Sequence, residues 1–428
     1  MTTHSEYSKL TLEITARLSK TEKKTDGIFI TPRSIIVKLL NKIKQQSTDI
    51  LPANLRILEP SAGTGEIANY ARSIYPLAII DAIEFNPIIY EAVSKTILPY
   101  NYIRADFTKW TGTESYDLIV GNPPFVVCKK ETVPEQYHEY VVGRPNLFGT
   151  FILHSMSMLK VGGILAFIVP ASFLNAAYYA KIRNYMKAMG TILSIEEYSD
   201  GGFLDTQQAT IGLIYRKNIN AIPDVADIDA LLSTGCDYSI QLNGDFIFTA
   251  NVAVLRELFA GSTTLARMGV RVRTGTVVWN QRKADLTDDN TKTLLIYNTN
   301  IAKRHDPERH GPERHDPERN AAGTNKVSIT TFKNDEKKQY INQAGSTESV
   351  IVVNRGNGNS AYQLSYAFID GRTQYLVENH LNIVECGAYA QQIMASLANE
   401  KTKQFVSAFL GNNGLSKTEL ETIFPIYL

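Results

Sequence analysis

Leu58-Glu59-Pro60-Ser61-Ala62-Gly63-Thr64-Gly65-Glu66 is the turn on which the reading of the fold depends. Residues 56–58 before it form a short apolar run, and residues 66–74 after it carry apolar side chains at helical spacing. Glycines at 63 and 65 allow a tight turn and the close approach of a ligand to the backbone. The spacing is neither the GxxxxGK[ST] of a phosphate loop nor GxGxxG, and no lysine follows, so a nucleoside triphosphate is not the expected ligand. A carboxylate at Glu59 beside the uncharged Ser61, Ala62 and Gly63 suits a zwitterionic or cationic ligand better than a pyrophosphate.

The same strand–turn–helix rhythm extends outward. Short apolar runs at 78–83, 101–104, 116–120 and 164–169 alternate with helical patterns at 88–97 and 148–159. A further helical pattern, 34–45, precedes the first strand, and 192–198 and 208–215 read as later strands. This alternation predicts an α/β fold with a mostly parallel sheet and helices on both faces. Glu84 follows the second run, at the separation from the glycine turn where an acid accepts ribose hydroxyls. Asp106 follows the third and could accept from the amino group of an adenine ring. One acid at a strand end is ordinarily a solvated loop residue or a helix cap. Three at successive strand ends, with the glycine turn, point to a ligand.

Asn122-Pro123-Pro124-Phe125 follows the run 117–120 directly. Two prolines stiffen the turn at a carboxyl strand end, where open α/β sheets place ligands. The Asn122 side-chain carbonyl and the Pro123 backbone carbonyl are two acceptors suited to an exocyclic NH2, which has two hydrogens to donate. Holding both draws the nitrogen toward tetrahedral geometry and frees its lone pair for an electrophile. Phe125 offers a ring face to a planar base.

Composition bounds the alternatives. The chain has 428 residues and a formal charge of +1, so no overall basic signature marks a nucleic-acid partner. Residues 1–10 are polar and mixed, with no leader pattern, and the longest apolar run, 161–174, is too short to span a bilayer. Cys128, Cys236 and Cys386 are far apart, which fits a reducing cytoplasm and excludes a cysteine-only zinc site within the chain. After about residue 245 the rhythm changes. Strand-like pieces at 275–279, 294–297 and 350–354 are separated by long polar stretches, and helical patterns follow at 389–397 and 401–409. Ser416 and Glu419 form a capping box for a last helix, with Leu415 and Leu420 placed to staple it. Residues 304–319 repeat with a period of five (RHDPE, RHGPE, RHDPE). Proline in each unit forbids a continuous helix, and the stretch reads as a solvated loop insert; its histidines, 305, 310 and 315, are not expected to bind metal. Two domains are expected, 1–245 and 246–428.

The order Gly27-Ile28-Phe29-Ile30-Thr31-Pro32, Glu59–Gly65, Glu84, Asp106, Asn122–Phe125 resembles the γ-class, TaqI-type N6-adenine DNA methyltransferases of restriction–modification systems. The resemblance continues through Arg144-Pro145-Asn146-Leu147-Phe148-Gly149 and residues 159–183, covering 27 to about 216 well and the rest more loosely. The motif ends in Phe125 where many relatives have tyrosine, and the five-residue repeat has no counterpart. The resemblance implies a Rossmann-like S-adenosylmethionine-dependent methyltransferase domain followed by a mixed α+β target-recognition domain. It further implies Thr31 and Pro32 near the cofactor's amino-acid end, Glu59, Ser61, Ala62, Gly63, Gly65 and Asn122 around it, Glu84 at its ribose, and Asp106 and Phe107 at its adenine. Asn122, Pro123 and Pro124 would receive an extruded adenine between the rings of Phe125 and Tyr179. In the second domain, Arg267, Arg271, Arg273, Arg282, Lys283 and Arg355 are candidates for phosphate contact, and Trp279, Asn280, Gln281 and Asn354 for base or sugar contact. The expected partner is double-stranded DNA, bound by a cytoplasmic monomer with no membrane contact; a cognate restriction endonuclease, where one exists, would act separately. Two alternatives remain open: an amino-methylating enzyme acting on RNA or a protein glutamine, and a non-catalytic DNA-binding subunit.

Overall fold

The computed structural model describes residues 6–47, 50–112, 115–198, 209–218, 238–242, 244–301, 327, 329, 332, 334–356, 362–410 and 414–428. The repeat at 304–319 and Cys236 lie outside the described residues. The chain divides into two compact units, Met1–Val252 and Ala253–Leu428.

In the first unit, helices α1 (Lys9–Arg17), α2 (Lys20–Asp26) and α3 (Arg33–Ser47) precede β1 (Arg56–Glu59). There follow α4 (Glu66–Ile74), β2 (Ile79–Glu84), α5 (Pro87–Val93), β3 (Asn101–Arg104) and β4 (Tyr116–Gly121). Then come α6 (Leu147–Met158), β5 (Leu159–Pro170), α7 (Ala180–Met189), β6 (Gly190–Tyr198) and β7 (Thr210–Lys217). The strands form one seven-stranded sheet in the order β3-β2-β1-β4-β5-β7-β6. Strands β1 to β5 are parallel, and β7 runs antiparallel between β5 and β6. This is a doubly wound, Rossmann-like sheet. The strand order reverses between β1 and β4, so the turns after these two strands flank the crevice where such sheets bind ligands.

The near-continuous apolar character of β4 and β5 follows from burial on both faces. Successive side chains alternate between two cores. Ile119, Leu165, Phe167 and Val169 pack with Phe148, Ile152 and Met186 of α6 and α7. Leu118, Val120, Ile164, Ala166 and Ile168 pack with Leu39, Ile43 and Ile67 of α3 and α4.

Helices α1 and α2 are absent from the sequence expectation, although each has a signal. Ser19 and Glu22 form a reciprocal capping box at the start of α2. Leu10, Ile14 and Leu18 recur every fourth residue, and Ile14 and Leu18 cluster with Ile89 and Val93.

Strands β8 (Ser239–Leu242) and β9 (Asp245–Phe248) form a hairpin, so the unit boundary falls at 252/253 rather than 245/246. The reason is packing. Phe246 and Phe248 enter the first unit's core, the Phe246 carbonyl accepts from Arg183 Nε at 2.5 Å, and the Phe246 amide donates to Asn184 Oδ1 at 2.8 Å.

Helix α8 (Val252–Phe259) leads to the second unit, which contains β10 (Val272–Thr274), β11 (Leu286–Thr287), β12 (Thr293–Ile296), α9 (Asn298–Ile301), β13 (Tyr340–Ile341), β14 (Val350–Asn354), β15 (Tyr366–Ile369), β16 (Tyr375–Val377) and β17 (Leu381–Val384). Two four-stranded sheets result, β10-β17-β14-β15 and β11-β13-β12-β16. The chain continues through α10 (Ala390–Ala398), α11 (Glu400–Phe405), a π turn at Val406–Leu410 and α12 (Lys417–Thr422), which has the expected Ser416–Glu419 capping box. The strand expected at 275–279 does not form. Gly275 sits so close to the chain that a Cβ there would lie 2.0 Å from the Glu378 carbonyl oxygen, Val277 makes a single bridge to Glu378, and Trp279–Gln281 is a 3-10 turn.

Candidate functional site

A cavity of about 520 Å³ lies in the first unit, among the turns that follow β1, β2, β3 and β4. That volume is in the range of small-molecule sites. Glu59, Ser61, Ala62 and Gly63 line it after β1, Glu84 after β2, Asp106 and Phe107 after β3, and Asn122 and Pro124 after β4. Thr31 completes the wall from the N-terminal strap. Pro32, Gly65, Pro123, Phe125 and Tyr179 do not line it. The Pro32 carbonyl instead accepts from the Ile36 amide at the start of α3. Gly65 has φ +79°, and its missing side chain makes room for Tyr100, whose hydroxyl would lie 1.9 Å from a Cβ there. Backbone conformation and a packed ring each require a glycine here. Gly63, at φ +53°, does face the cavity.

The three acids are used in different ways. Glu84 is buried, its Oε2 accepts from the Gly63 amide at 2.7 Å, and its Oε1 accepts from the Asn86 amide at 2.6 Å. Burial raises its pKa above the ordinary value, against those backbone bonds, and Asp26 adds to the rise. Glu59 is 2% exposed, and burial holds its carboxyl well above the usual range. Its Oε2 accepts from the Ala68 amide at 2.8 Å in the first turn of α4, whose N-cap residue Gly65 has no side chain to do so. Asp106 caps the 3-10 turn Phe107–Lys109 through Oδ1, which accepts from the Thr108 amide at 3.0 Å, and its Oδ2 lies 3.2 Å from Lys109 Nζ.

At the end of β4 the Asn122 amide is anchored by its nitrogen. Nδ2 donates to the Phe29 carbonyl and to Thr31 Oγ1, each at 3.1 Å. Oδ1 is shielded from solvent and, among the described residues, has no hydrogen-bond partner. The Asn122 backbone carbonyl accepts from Ser61 Oγ at 3.1 Å, which ties the β4 turn to the β1 turn across the crevice. A buried acceptor without a donor is costly and fits a ligand that brings an N–H.

The aromatic wall is arranged less simply. Phe125 stacks on Phe29, with centroids 6.0 Å apart, and meets Phe148 edge-on at 6.0 Å. Tyr179 packs on Phe148 at 5.0 Å and on Phe173 at 5.6 Å and is 6% exposed. Phe148 thus contacts both rings expected to sandwich a base. Tyr178, next to Tyr179, is the more exposed ring at 45%.

Several cavity residues have no place in the sequence reading. Ile14 of α1, Leu18 just after it and Asp26 of α2 also line it. Helix α1 is tied to the glycine turn by Thr11 Oγ1, which bonds Thr64 Oγ1 at 2.7 Å and Glu66 Oε1 at 2.5 Å. The four-residue spacing of Leu10, Ile14 and Leu18 could have revealed the helix but not what it covers.

In the second unit, Arg267, Arg271, Asn280, Gln281, Arg282 and Lys283 are exposed. Arg273 pairs with Glu385 at 3.1 Å, Arg282 with Asp285 at 3.6 Å and Lys283 with Glu336 at 2.6 Å. Arg355 is half-buried, with Nη1 on the Asn379 carbonyl at 3.0 Å. Trp279 is half-buried against the cluster of Val277, Leu295, Tyr297 and Ile341, with Lys337 Nζ 5.4 Å from its ring. Asn354 is 0% exposed, so it cannot contact a base from this conformation. Its Oδ1 accepts from the Ser365 amide at 2.8 Å and its Nδ2 donates to the Gln363 carbonyl at 2.8 Å. Asn354→Ala is therefore expected to destabilise the protein by about 2–4 kcal/mol in urea unfolding, through buried partners left unpaired. A loss confined to DNA affinity would contradict this.

Residues 28–203 match the profile of the Eco57I restriction-modification methylase family. Modification methylase CviBIII of Paramecium bursaria Chlorella virus NC1A is 33% identical over 217 residues, 50% of this chain and 55% of that protein. The aligned region is therefore about half that relative's length. Type II methyltransferase M.CvrRI of Paramecium bursaria Chlorella virus XZ-6E is 25% identical over 98% of this chain and 99% of its own. Among solved structures, the type IIG restriction endonuclease BpuSI aligns with 98% of this chain and 60% of its own at 13% identity and TM-score 0.44. The EcoKI M protein aligns with 44% of each chain at 18% identity and TM-score 0.34. No helix among the described residues is long and apolar enough to cross a membrane.

Proposed function

We propose that this chain, whose residues 28–203 match the profile of a restriction-modification methylase family, is a DNA methyltransferase that moves a methyl group from S-adenosylmethionine to the N6 amine of an adenine. The observation that carries the reading is Asn122: its nitrogen is held by Phe29 and Thr31, and its buried oxygen lacks a donor beside a cavity at the strand switch point.

The residues present fit the cofactor. Glu84 is the acid for ribose hydroxyls, Asp106 and Phe107 form the adenine end, and Gly63 leaves an open backbone surface where a Cβ would meet nothing within 4 Å. Glu59 adds a buried carboxylate to the same wall. When bound, S-adenosylmethionine supplies a methyl already activated by its sulfonium charge. The chain's task is then orientation. Asn122 Oδ1 and the Pro123 carbonyl accept the two amine hydrogens, and no strong general base is required because the alkylated amine loses a proton readily. A paired base cannot reach this position, so the adenine is extruded from the duplex. Phe125 receives one ring face and Tyr179, which packs on Phe148 and Phe173, the other. The second unit holds the DNA through Arg267, Arg271, Asn280, Gln281, Arg282 and Lys283. The surface ion pairs of Arg282 and Lys283 contribute little to stability and are exchangeable for phosphate.

The raised pKa of Glu84 gives a pH signature. Its folded-state value lies above the ordinary 4.5, so unfolding releases a proton between those values, and this group's contribution to stability falls as pH rises through that window. Cofactor affinity should move the opposite way. Ribose hydroxyls donate to the ionised carboxylate, so affinity falls as pH drops through the raised value. Calorimetric titration of S-adenosylmethionine against pH should show this for the wild type and a flat profile for Glu84→Gln; equal slopes would remove Glu84 from the cofactor site.

The central test supplies tritiated S-adenosylmethionine with duplex DNA, structured RNA and protein extract as competing acceptors, followed by nucleoside analysis. Label in N6-methyladenine of duplex DNA is expected. Label in RNA, in protein glutamine or in another base would overturn the assignment, and absence of cofactor binding would favour a non-catalytic subunit.

A further inference from the structure

We propose that Thr31 is a positioning residue for Asn122: its hydroxyl, bonded to the amide end that the Phe29 carbonyl selects, holds the Asn122 oxygen toward the amine that is methylated. The inference rests on the amine-methylating reading above.

The two ends of an asparagine amide are nearly the same size, so sterics alone choose poorly between two orientations half a turn apart. They differ completely in what they offer an NH2 group. Oδ1 accepts a hydrogen, whereas Nδ2 would set donor against donor and leave the amine's lone pair in conjugation with its ring. The Phe29 carbonyl, which can only accept, decides the orientation, and the Thr31 hydroxyl adds a second bond that holds it. Phe29 O and Thr31 Oγ1 each lie 3.1 Å from Nδ2, one for each amide hydrogen. In the reversed orientation Oδ1 would face the Phe29 carbonyl oxygen, an acceptor against an acceptor. The cost of the native arrangement is visible at the other end, where Oδ1 is shielded from solvent without a partner among the described residues. That acceptor is available to substrate because both donors of the same amide are already engaged.

The strap that holds the lock is itself held. Thr31 is 7% exposed, and Phe29 stacks on Phe125, so the carbonyl and the hydroxyl move with the turn they orient. Gly27 lies close enough to the turn that a Cβ there would stand 2.8 Å from Pro124 Cβ. Thr31 also lines the cavity, so contact with cofactor is the competing role. The two roles separate kinetically. An orienting hydroxyl affects the methyl-transfer step with cofactor already bound; a cofactor contact affects binding.

The test compares Thr31→Val, which keeps the shape and removes the acceptor, with Thr31→Ser, which keeps the oxygen. S-adenosylmethionine Kd is measured by calorimetry, and single-turnover methyl transfer to duplex DNA at saturating cofactor. The valine variant is expected to transfer methyl about 10–100-fold more slowly with Kd within about 3-fold of wild type, and the serine variant to recover to within about 3-fold of the wild-type rate. An unchanged cofactor Kd also certifies that the valine variant is folded. A valine variant with a wild-type rate, a change confined to or accompanied by loss of cofactor binding, or a serine variant as slow as the valine one would each overturn the positioning role. If the wild type methylates no amine at all, the functional reading fails and this inference falls with it; an active wild type with an indifferent Thr31 sinks the inference alone.

Discussion

Replacing Asn122 with alanine should slow methyl transfer by about 10²–10³-fold or more while leaving cofactor binding nearly intact, by analogy with the loss of a single oriented hydrogen-bonding group at a reacting centre. The split follows from where the side chain's bonds lie. Its nitrogen is committed to Phe29 and Thr31, and its buried oxygen has no partner among the described residues. Removing the side chain removes the proposed acceptor for the amine, while Glu84, Asp106 and Gly63 remain on the cavity wall proposed to hold the cofactor. Single-turnover transfer at saturating S-adenosylmethionine, with Kd measured separately, reads the two quantities apart. Near-wild-type turnover in the variant would refute the assignment of the site.

Gly27→Ala should also slow methyl transfer, although residue 27 lies outside the Asn122 turn. Gly27 ends α2 in the left-handed region at φ +65°, which alanine adopts only at a cost of roughly 1–2 kcal/mol. An added Cβ would lie 2.5 Å from Val126 Cγ2 and 2.8 Å from Pro124 Cβ. Something must shift: a Val126 methyl stands nearest, and next to it the stiff proline turn of the proposed reacting centre. A misplacement of about 1 Å there can cost on the order of 10²-fold in rate. The expected result is a folded protein with a lower melting temperature and a methyl-transfer rate reduced about 10–100-fold. A variant that loses stability but keeps its rate would show that the strap and the turn are not coupled.

Much of the site was legible in the sequence because parallel α/β sheets place ligand groups at the carboxyl ends of strands, and strand ends can be counted. Glu59, Glu84, Asp106 and Asn122 were each located by following an apolar run to its last residue, and all four line one cavity. Helices α1 and α2 escaped because their polar composition hid signals that were present, the Ser19–Glu22 capping box among them. The burial of Asn354 is hidden from the sequence for a related reason. A polar residue closing the strand β14 looks exposed in one dimension, and only the partners at Ser365 and Gln363 reveal it as a buried, paired amide. The packing at Gly65 is hidden as well, because the ring that needs its space, Tyr100, lies 35 residues away.

From the amino-acid sequence alone came the periodicities, the turns and the identity of the chemical groups: alternating strands and helices, a glycine turn, three acids and an amide at strand ends. These are local properties, written in spacing and in backbone preference. Tertiary structure alone decided direction. Which end of the Asn122 amide is held and which left open, which carboxylate oxygen is spent on a helix start, and which rings close over Phe148 depend on atoms brought together from distant parts of the chain. Hydrogen bonds are directional over about 3 Å, and no spacing along one strand of sequence records which partner will stand at that distance.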